Sequence, residues 1–191
     1  MNVDIFSTGK KYNIIYADPP WRYNARKNQK TKFGGGAAGH YITMPIGEIE
    51  KLPVPDIAAE NCALLMWCTF PYLDQQIKLF EKWGFNYKTL AFSLIKTNRV
   101  NGEPFFGIGY YFKSNCEVCL LGIKGKMKPV SNAISSCIIA HKREHSRKPD
   151  EARKRIVELF GDIPRIELFA RQSSAGWDCW GNETSKYSQE V

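Results

Sequence analysis

The residues best suited to chemistry sit together at Asp18-Pro19-Pro20-Trp21, directly after the apolar run Asn13-Ile14-Ile15-Tyr16-Ala17. That run has the length and β-branched content of a buried strand. Two prolines cannot continue a sheet ladder, because each lacks an N–H and has a fixed φ. A strand over 12–17 therefore stops here and projects Asp18 and Trp21 from its C-terminal end. In open α/β sheets, ligands bind outside the carboxyl ends of the strands. An ionised carboxylate only accepts hydrogen bonds. The Pro19 and Pro20 carbonyls read as free acceptors, and Trp21 as a flat face. Two acceptors beside an indole suit a planar ring carrying an exocyclic NH₂, with stacking worth about 1–3 kcal/mol. Adenine displaced from a base stack has this chemistry. Asp-Pro-Pro is equally a common loop, and Trp a common core residue, so the rest of the chain must decide.

The elements that would position these residues follow from periodicity. A loop over 22–39 carries Arg22, Arg26, Lys27, Lys30 and Lys32 without an acid, then three glycines. Loops of this length are functional or flexible; its place beside Asp18 favours a basic lid that clamps phosphates. Ile46, Ile49 and Leu52 predict a short helix closed by Pro53. Residues 62–69 read as a buried strand, and Pro71 to Trp83 as a helix stopped by Gly84. Residues 87–95 form a further strand, and Lys96-Thr97-Asn98 opens a Gly- and Phe-containing loop to about residue 113. A strand over 115–124 precedes a basic connection with an apolar run at 137–140. A helix starting at Pro149 buries Ala152, Ile156, Leu159 and Phe160 and ends at Gly161. Pro164 to Ala170 is the last strand, and residues 171–183 read as a loop. Strands alternating with helices predict an α/β fold, a mainly parallel sheet with helices on both faces.

The chain has 191 residues and a net charge of +8, which suits one domain with a polyanionic partner. Residues 1–11 read as a polar lead without the apolar core of a signal peptide, and residues 184–191 as a polar tail. No apolar run reaches membrane-spanning length. The six scattered cysteines read as reduced thiols of a cytoplasmic protein. Cys116-x-x-Cys119 with His141 and His145 outlines a zinc set, but 21 residues separate Cys119 from His141. Residues three apart on a strand also face opposite sides. No metal is expected.

Four stretches together resemble a known family, the adenine-N(6) methyltransferases related to the catalytic subunit of the eukaryotic messenger-RNA m6A writer. They are Asp18-Pro19-Pro20-Trp21, Leu65-Met66-Trp67-Cys68-Thr69, His145 to Glu151, and Ile166 to Arg171 with Gly176-Trp177 and Gly181-Asn182-Glu183. The resemblance runs from about Tyr12 to Glu183. It implies a Rossmann-like class I methyltransferase fold in permuted order that binds S-adenosylmethionine, its catalytic motif early and its cofactor loops late. By the family's pattern, the strand ending at Phe169-Ala170-Arg171 replaces an N-terminal glycine-rich loop. The resemblance places Lys148 near the cofactor carboxylate, and Arg171, Asn182 and Glu183 around its ribose and adenine. Ser173, Ser174 and Trp177 belong to the same region. The human member has Gly-Arg-Pro-His-Asn where this chain has Ala170-Arg171-Gln172-Ser173-Ser174. Asp18 is implied between target amine and cofactor, and Tyr41 matches a position near the target.

The expected reaction is direct in-line transfer, with Asp18 and the Pro20 carbonyl polarising the amine and Arg22, Arg26, Lys27, Lys96 and Asn98 meeting substrate. Basic loops at 22–32 and 124–148 would hold the backbone of a flipped-out or single-stranded site. Large eukaryotic members carry zinc-finger and partner segments for RNA. Their absence here favours DNA as the partner, with RNA an open alternative. A non-catalytic nucleic-acid-binding relative is a reading of another class, opposed by the presence of Asp18, Lys148 and Asn182. A bacterial or phage enzyme acting as a monomer or homodimer fits these features.

Overall fold

The run that ends at Asp18 forms strand β1 (Tyr12–Ala17), an interior strand of a seven-stranded sheet. The computed structural model describes residues 1–22, 43–107, 111–144, 147–184 and 186. In chain order the other elements are α1 (Ile46–Glu50), α2 (Val54–Ile57), β2 (Ala58–Cys68), α3 (Leu73–Lys82), β3 (Asn86–Thr97), β4 (Cys116–Lys124), β5 (Cys137–His141), α4 (Asp150–Phe160), β6 (Arg165–Leu168) and β7 (Asp178–Trp180). The strand order is β5-β3-β4-β2-β1-β6-β7. Strand β1 is parallel to β2 and β6, β6 to β7, and β3 to β5; β4 alone runs against its neighbours β2 and β3. Six carboxyl ends therefore share one edge with the amino end of β4.

Alternation along β1 divides the core. Ile14 and Tyr16 pack on the face covered by α4, with Leu65, Trp67 and Phe92. Ile15 and Ala17 pack on the other face with Leu64, Met66 and the α3 residues Leu79 and Phe80. Both faces are covered, which is why the parallel strands read as continuous apolar runs instead of alternating ones. The chain leaves α3 through Gly84, whose φ of +79° is open to glycine at no steric cost.

The structure corrects several boundaries. The stretch 171–183 contains β7 and is not wholly loop. The polar lead is docked: Asn2 bridges Cys179 in parallel, Val3 N–H donates to the Cys179 carbonyl at 2.9 Å, and Ile5 is buried. Lys51, Leu52 and Pro53 separate α1 from the short α2. The expected basic lid, with Arg26, Lys27 and Tyr41, lies outside the described residues. No described helix is long and apolar enough to cross a membrane.

One buried charge pair ties α4 to the sheet. Arg153 donates Nε to Glu167 Oε2 at 2.6 Å and Nη2 to Oε1 at 2.9 Å, and both residues are below 10% exposed. Removing one partner of such a pair strands the other charge, at a cost of about 3–5 kcal/mol. Arg153→Met should lower stability by that amount in chemical denaturation. Adding Glu167→Leu should recover most of it, and no recovery would show that the cost lies in packing.

Candidate active site

The site is built where β1, β6 and β7 end side by side. Asp18 N–H meets the Leu168 carbonyl at 3.4 Å, holding the end of β1 against β6. The backbone then folds back on itself. Trp21 N–H donates to the Pro19 carbonyl at 2.9 Å, and Met44 N–H donates to the Pro20 carbonyl at 2.7 Å. The reading of both carbonyls as free is thus corrected: each already accepts one bond, and only its second lone pair remains.

Trp21 is corrected as well. It is 6% exposed and donates its indole N–H to the Trp67 carbonyl at 3.1 Å. Its bulk sits in the core; an edge reaches a cavity of about 150 Å³ that Arg22, Tyr72 and Gln75 also line. An indole that follows two prolines past a strand end is driven inward by its apolar area, and its one donor finds a backbone acceptor there.

A larger cavity of about 440 Å³ opens beside Asp18. Asp18 and Pro20 form one wall, Phe169, Ala170 and Arg171 a second, and Gly181, Asn182 and Glu183 a third. Two backbone features shape it. Phe169 has φ +59°, a left-handed conformation that side chains other than glycine's rarely adopt, so β6 ends in a sharp turn. At Gly181 a Cβ would lie 2.5 Å from the Ala170 carbonyl oxygen and 2.7 Å from its nitrogen, so the two loops close on each other only because that position is glycine. Arg171 Nε and Glu183 Oε2 face each other at 3.6 Å across the loops.

The electrostatics centre on Lys148, just before α4. Its ammonium lies 2.9 and 2.8 Å from the two Asp18 oxygens and 3.4 Å from Glu117 Oε2, and 5.2 Å from the Trp67 ring centroid. Lys96 in turn pairs with Glu117 Oε1. Four charges of alternating sign thus run Lys96, Glu117, Lys148, Asp18. Burial alone would raise the Glu117 carboxyl, but the Lys148 and Lys96 ammoniums outweigh it and hold the pKa at about 2. Burial would lower the Lys148 pKa, and the Asp18 and Glu117 carboxylates outweigh it and raise it above the ordinary lysine value. Burial pushes the Cys68 thiol up to about 12, aided by Asp18, which keeps it neutral and poorly nucleophilic.

Among the residues expected to meet a ligand, the structure brings Asp18, Pro20, Phe169, Arg171, Asn182 and Glu183 to one cavity. Ser173 is exposed, and Ser174 and Trp177 line a different cavity with Lys10, Tyr12 and Pro164, at the amino ends of β1 and β6. The reason is topological: β7 is parallel to β6, so the chain must travel back along the sheet between them. Trp177 is buried edge-on against Tyr16, ring centroids 6.0 Å apart. Lys96 is tied to Glu117, and Asn98 donates its backbone N–H to the Glu103 carbonyl. Cys119 is wholly buried, and His141 Nδ1 lies 3.0 Å from Thr97 Oγ1.

Sequence reasoning missed Glu117. Its signal was a lone acid in the apolar run Cys-Glu-Val-Cys-Leu-Leu. Because β4 is reversed, its second residue lies at the carboxyl edge of the sheet.

Comparison with known proteins adds to this geometry. The MT-A70 family profile matches residues 12–183. "Type II methyltransferase M.MunI" of Mycoplasma sp is 36% identical over 95% of this chain and 82% of its own length. Human "N(6)-adenine-specific methyltransferase METTL4" is 28% identical over 93% of this chain and 38% of its own. Human "N(6)-adenosine-methyltransferase catalytic subunit METTL3" is 25% identical over 91% and 28%. The chain thus spans most of the Mycoplasma relative and well under half of the human ones.

Glu117 carries a pH prediction. A carboxyl depressed on folding stabilises the protein above its unfolded pKa, near 4.3, and loses that contribution as pH falls towards its folded value. Wild-type stability should therefore fall more steeply between about pH 4.5 and 2 than that of Glu117→Gln. Parallel slopes in urea titrations across that range would show that Glu117 is not paired.

Proposed function

The chain belongs to the MT-A70 family of adenine-N(6) methyltransferases, and from that premise we propose that it transfers a methyl group from S-adenosylmethionine to the N(6) amine of adenine in DNA. The observation that carries this reading is Asp18 itself, placed on the wall of the 440 Å³ cavity and facing the Lys148 cluster through both of its oxygens. DNA is favoured over RNA by the likeness to the Mycoplasma type II methyltransferase over most of that protein's length. The cytoplasm of a bacterial cell is the compartment this implies.

The cavity fits the cofactor in size and donor set. About 440 Å³ lies within the range of small-molecule sites. The Glu183 carboxylate can accept from ribose hydroxyls, and the Asn182 amide can both donate and accept at an adenine edge. The tight turn at Phe169 and the contact at Gly181 leave backbone groups lining the cavity, the part that a glycine-rich loop plays elsewhere. S-adenosylmethionine supplies a methyl group activated by its sulfonium.

The protein's own work is to make a poor nucleophile adequate. The lone pair of adenine's exocyclic amine is delocalised into the ring. Asp18 and the remaining lone pair of the Pro20 carbonyl accept its two N–H bonds, favour a pyramidal nitrogen and stabilise positive charge as it develops; the methyl–sulfur bond would break to leave S-adenosylhomocysteine, and one N–H proton would pass to solvent. Lys148 takes one lone pair of each Asp18 oxygen and leaves others for this. Its ammonium has three donors and keeps Glu117 as a partner meanwhile. The amine is unreachable inside a duplex, so the base is flipped or single-stranded. Holding both reactants in line supplies much of the remaining acceleration.

Labelled S-adenosylmethionine incubated with matched DNA and RNA oligonucleotides, followed by nucleoside mass spectrometry, tests the reading. Methyladenine should appear in DNA, and Asp18→Asn should slow it by about 10²–10³-fold. A product confined to RNA would overturn the substrate assignment. Gly181→Ala should weaken cofactor binding measured by calorimetry at least tenfold, about 1.4 kcal/mol, because the new methyl group must displace the Ala170 backbone. Unchanged affinity would move the cofactor to another cavity.

A further inference from the structure

Beyond Asp18, the carboxyl end of β3 extends into a segment, 98–107 and 111–113, that the proposed reaction does not use. Backbone bonds hold it in place. Phe105 N–H donates to the Lys96 carbonyl at 2.8 Å, Asn98 N–H to Glu103 at 2.8 Å, and Gly107 and Ser114 exchange both bonds at 2.6 and 3.2 Å. On this frame two phenylalanines face outward: Phe106 is 54% exposed and Phe112 85%. Soluble proteins seldom leave grouped aromatics uncovered unless something binds them.

The charges beside the rings select the partner. Lys142 Nζ lies 3.9 Å from the Phe105 ring centroid, and Lys113 Nζ 5.8 Å from that of Phe106. Arg99, Lys113 and Lys142 are exposed, and Glu103 is the one acid among the described residues 98–107 and 111–113. A second copy of this face would bring like charges together. A polyanion with flat bases matches both the cations and the rings. The segment is also joined to the site, since Lys96 holds Phe105 by its carbonyl and pairs by its side chain with Glu117, which faces Lys148 and through it Asp18.

We propose that this segment, with Lys142, is a stacking platform for the single-stranded stretch flanking the target base. The proposal rests on the reading that Asp18 receives an adenine. Bases next to the target stack on Phe106 and Phe112, while Lys113 and Lys142 take their phosphates. The strand is thereby held outside the duplex as the target reaches Asp18. Because every base has a π-face, the platform selects for unpaired structure and not for sequence.

Fluorescence anisotropy with a labelled single-stranded oligonucleotide of about 12 nucleotides tests this. Phe106→Ala with Phe112→Ala should lower affinity by roughly 5- to 160-fold for each ring that stacks. Cofactor affinity and melting temperature should stay unchanged. Lys113→Ala with Lys142→Ala should reduce the slope of log affinity against log salt by about 1.4, or about 0.7 for each cation. Oligonucleotide affinity indifferent to the aromatic pair would overturn the platform and leave the reaction at Asp18 standing. A dimer in sedimentation that Phe112→Ala dissociates would overturn it in favour of a self-contact. Loss of affinity in the aromatic pair, in a protein that methylates neither DNA nor RNA, would keep the platform and sink the proposed reaction.

Discussion

The arrangement depends on one ammonium. Lys148 is largely buried, and two carboxylates face it, Asp18 through both oxygens and Glu117 through one. Unit charges about 4 Å apart near a protein surface attract by about 4 kcal/mol before desolvation is counted. That attraction must offset taking all of these groups out of water. The alternating order matters: without Lys148, two carboxylates would confront each other, and without Glu117, Lys96 and Lys148 would. Each charge is tolerated because its neighbours have the opposite sign. The chain joins β3, β4, the entry to α4 and the end of β1, so the position of Asp18 is set from across the sheet as well as by its own strand.

This cluster exists only because of the reversed β4. In a sheet with every strand parallel, residue 117 would lie at the opposite edge, about six residues of strand away from Lys148. Reversal brings the amino end of β4 among the carboxyl ends of the others. Strand direction is invisible to periodicity, which sees only apolar alternation or continuity. That is why the fold class, β1, α3 and α4 were legible from the sequence, while Glu117 was not. The lone acid at 117 marked a strand end near polar groups but could not say which edge.

The other departures have the same character. Trp21 was read for its flat face, a property of the side chain; its actual place follows from the Met44 bridge and the Trp67 carbonyl, which are contacts across long stretches of chain. Ser174 and Trp177 were placed by likeness to a motif, although Gln172-Ser173-Ser174 already departs from the family's sequence there. The parallel return to β7 carries them away from Asp18. By contrast Phe169, Arg171, Asn182 and Glu183 line the cavity beside Asp18, because they closely follow strand ends that the sheet brings to one edge. Local position relative to a strand end was readable, and direction of travel between strands was not.

The missing glycine-rich loop then has a physical explanation. Such loops let backbone approach a ligand closely and turn sharply out of a strand. Here two separate positions shape the wall of the cavity. Phe169 makes the sharp turn in a left-handed conformation that costs roughly 1–3 kcal/mol for an ordinary residue. Its ring recovers part of that by meeting Trp180 edge-on at 5.4 Å. Gly181, at the neighbouring strand end, lets that end close against the Ala170 backbone. The two positions are twelve residues apart in sequence and adjacent in space, so no compact motif records them. A side chain that packs holds the strained turn in place, whereas a glycine there would leave the unfolded chain more freedom to lose on folding.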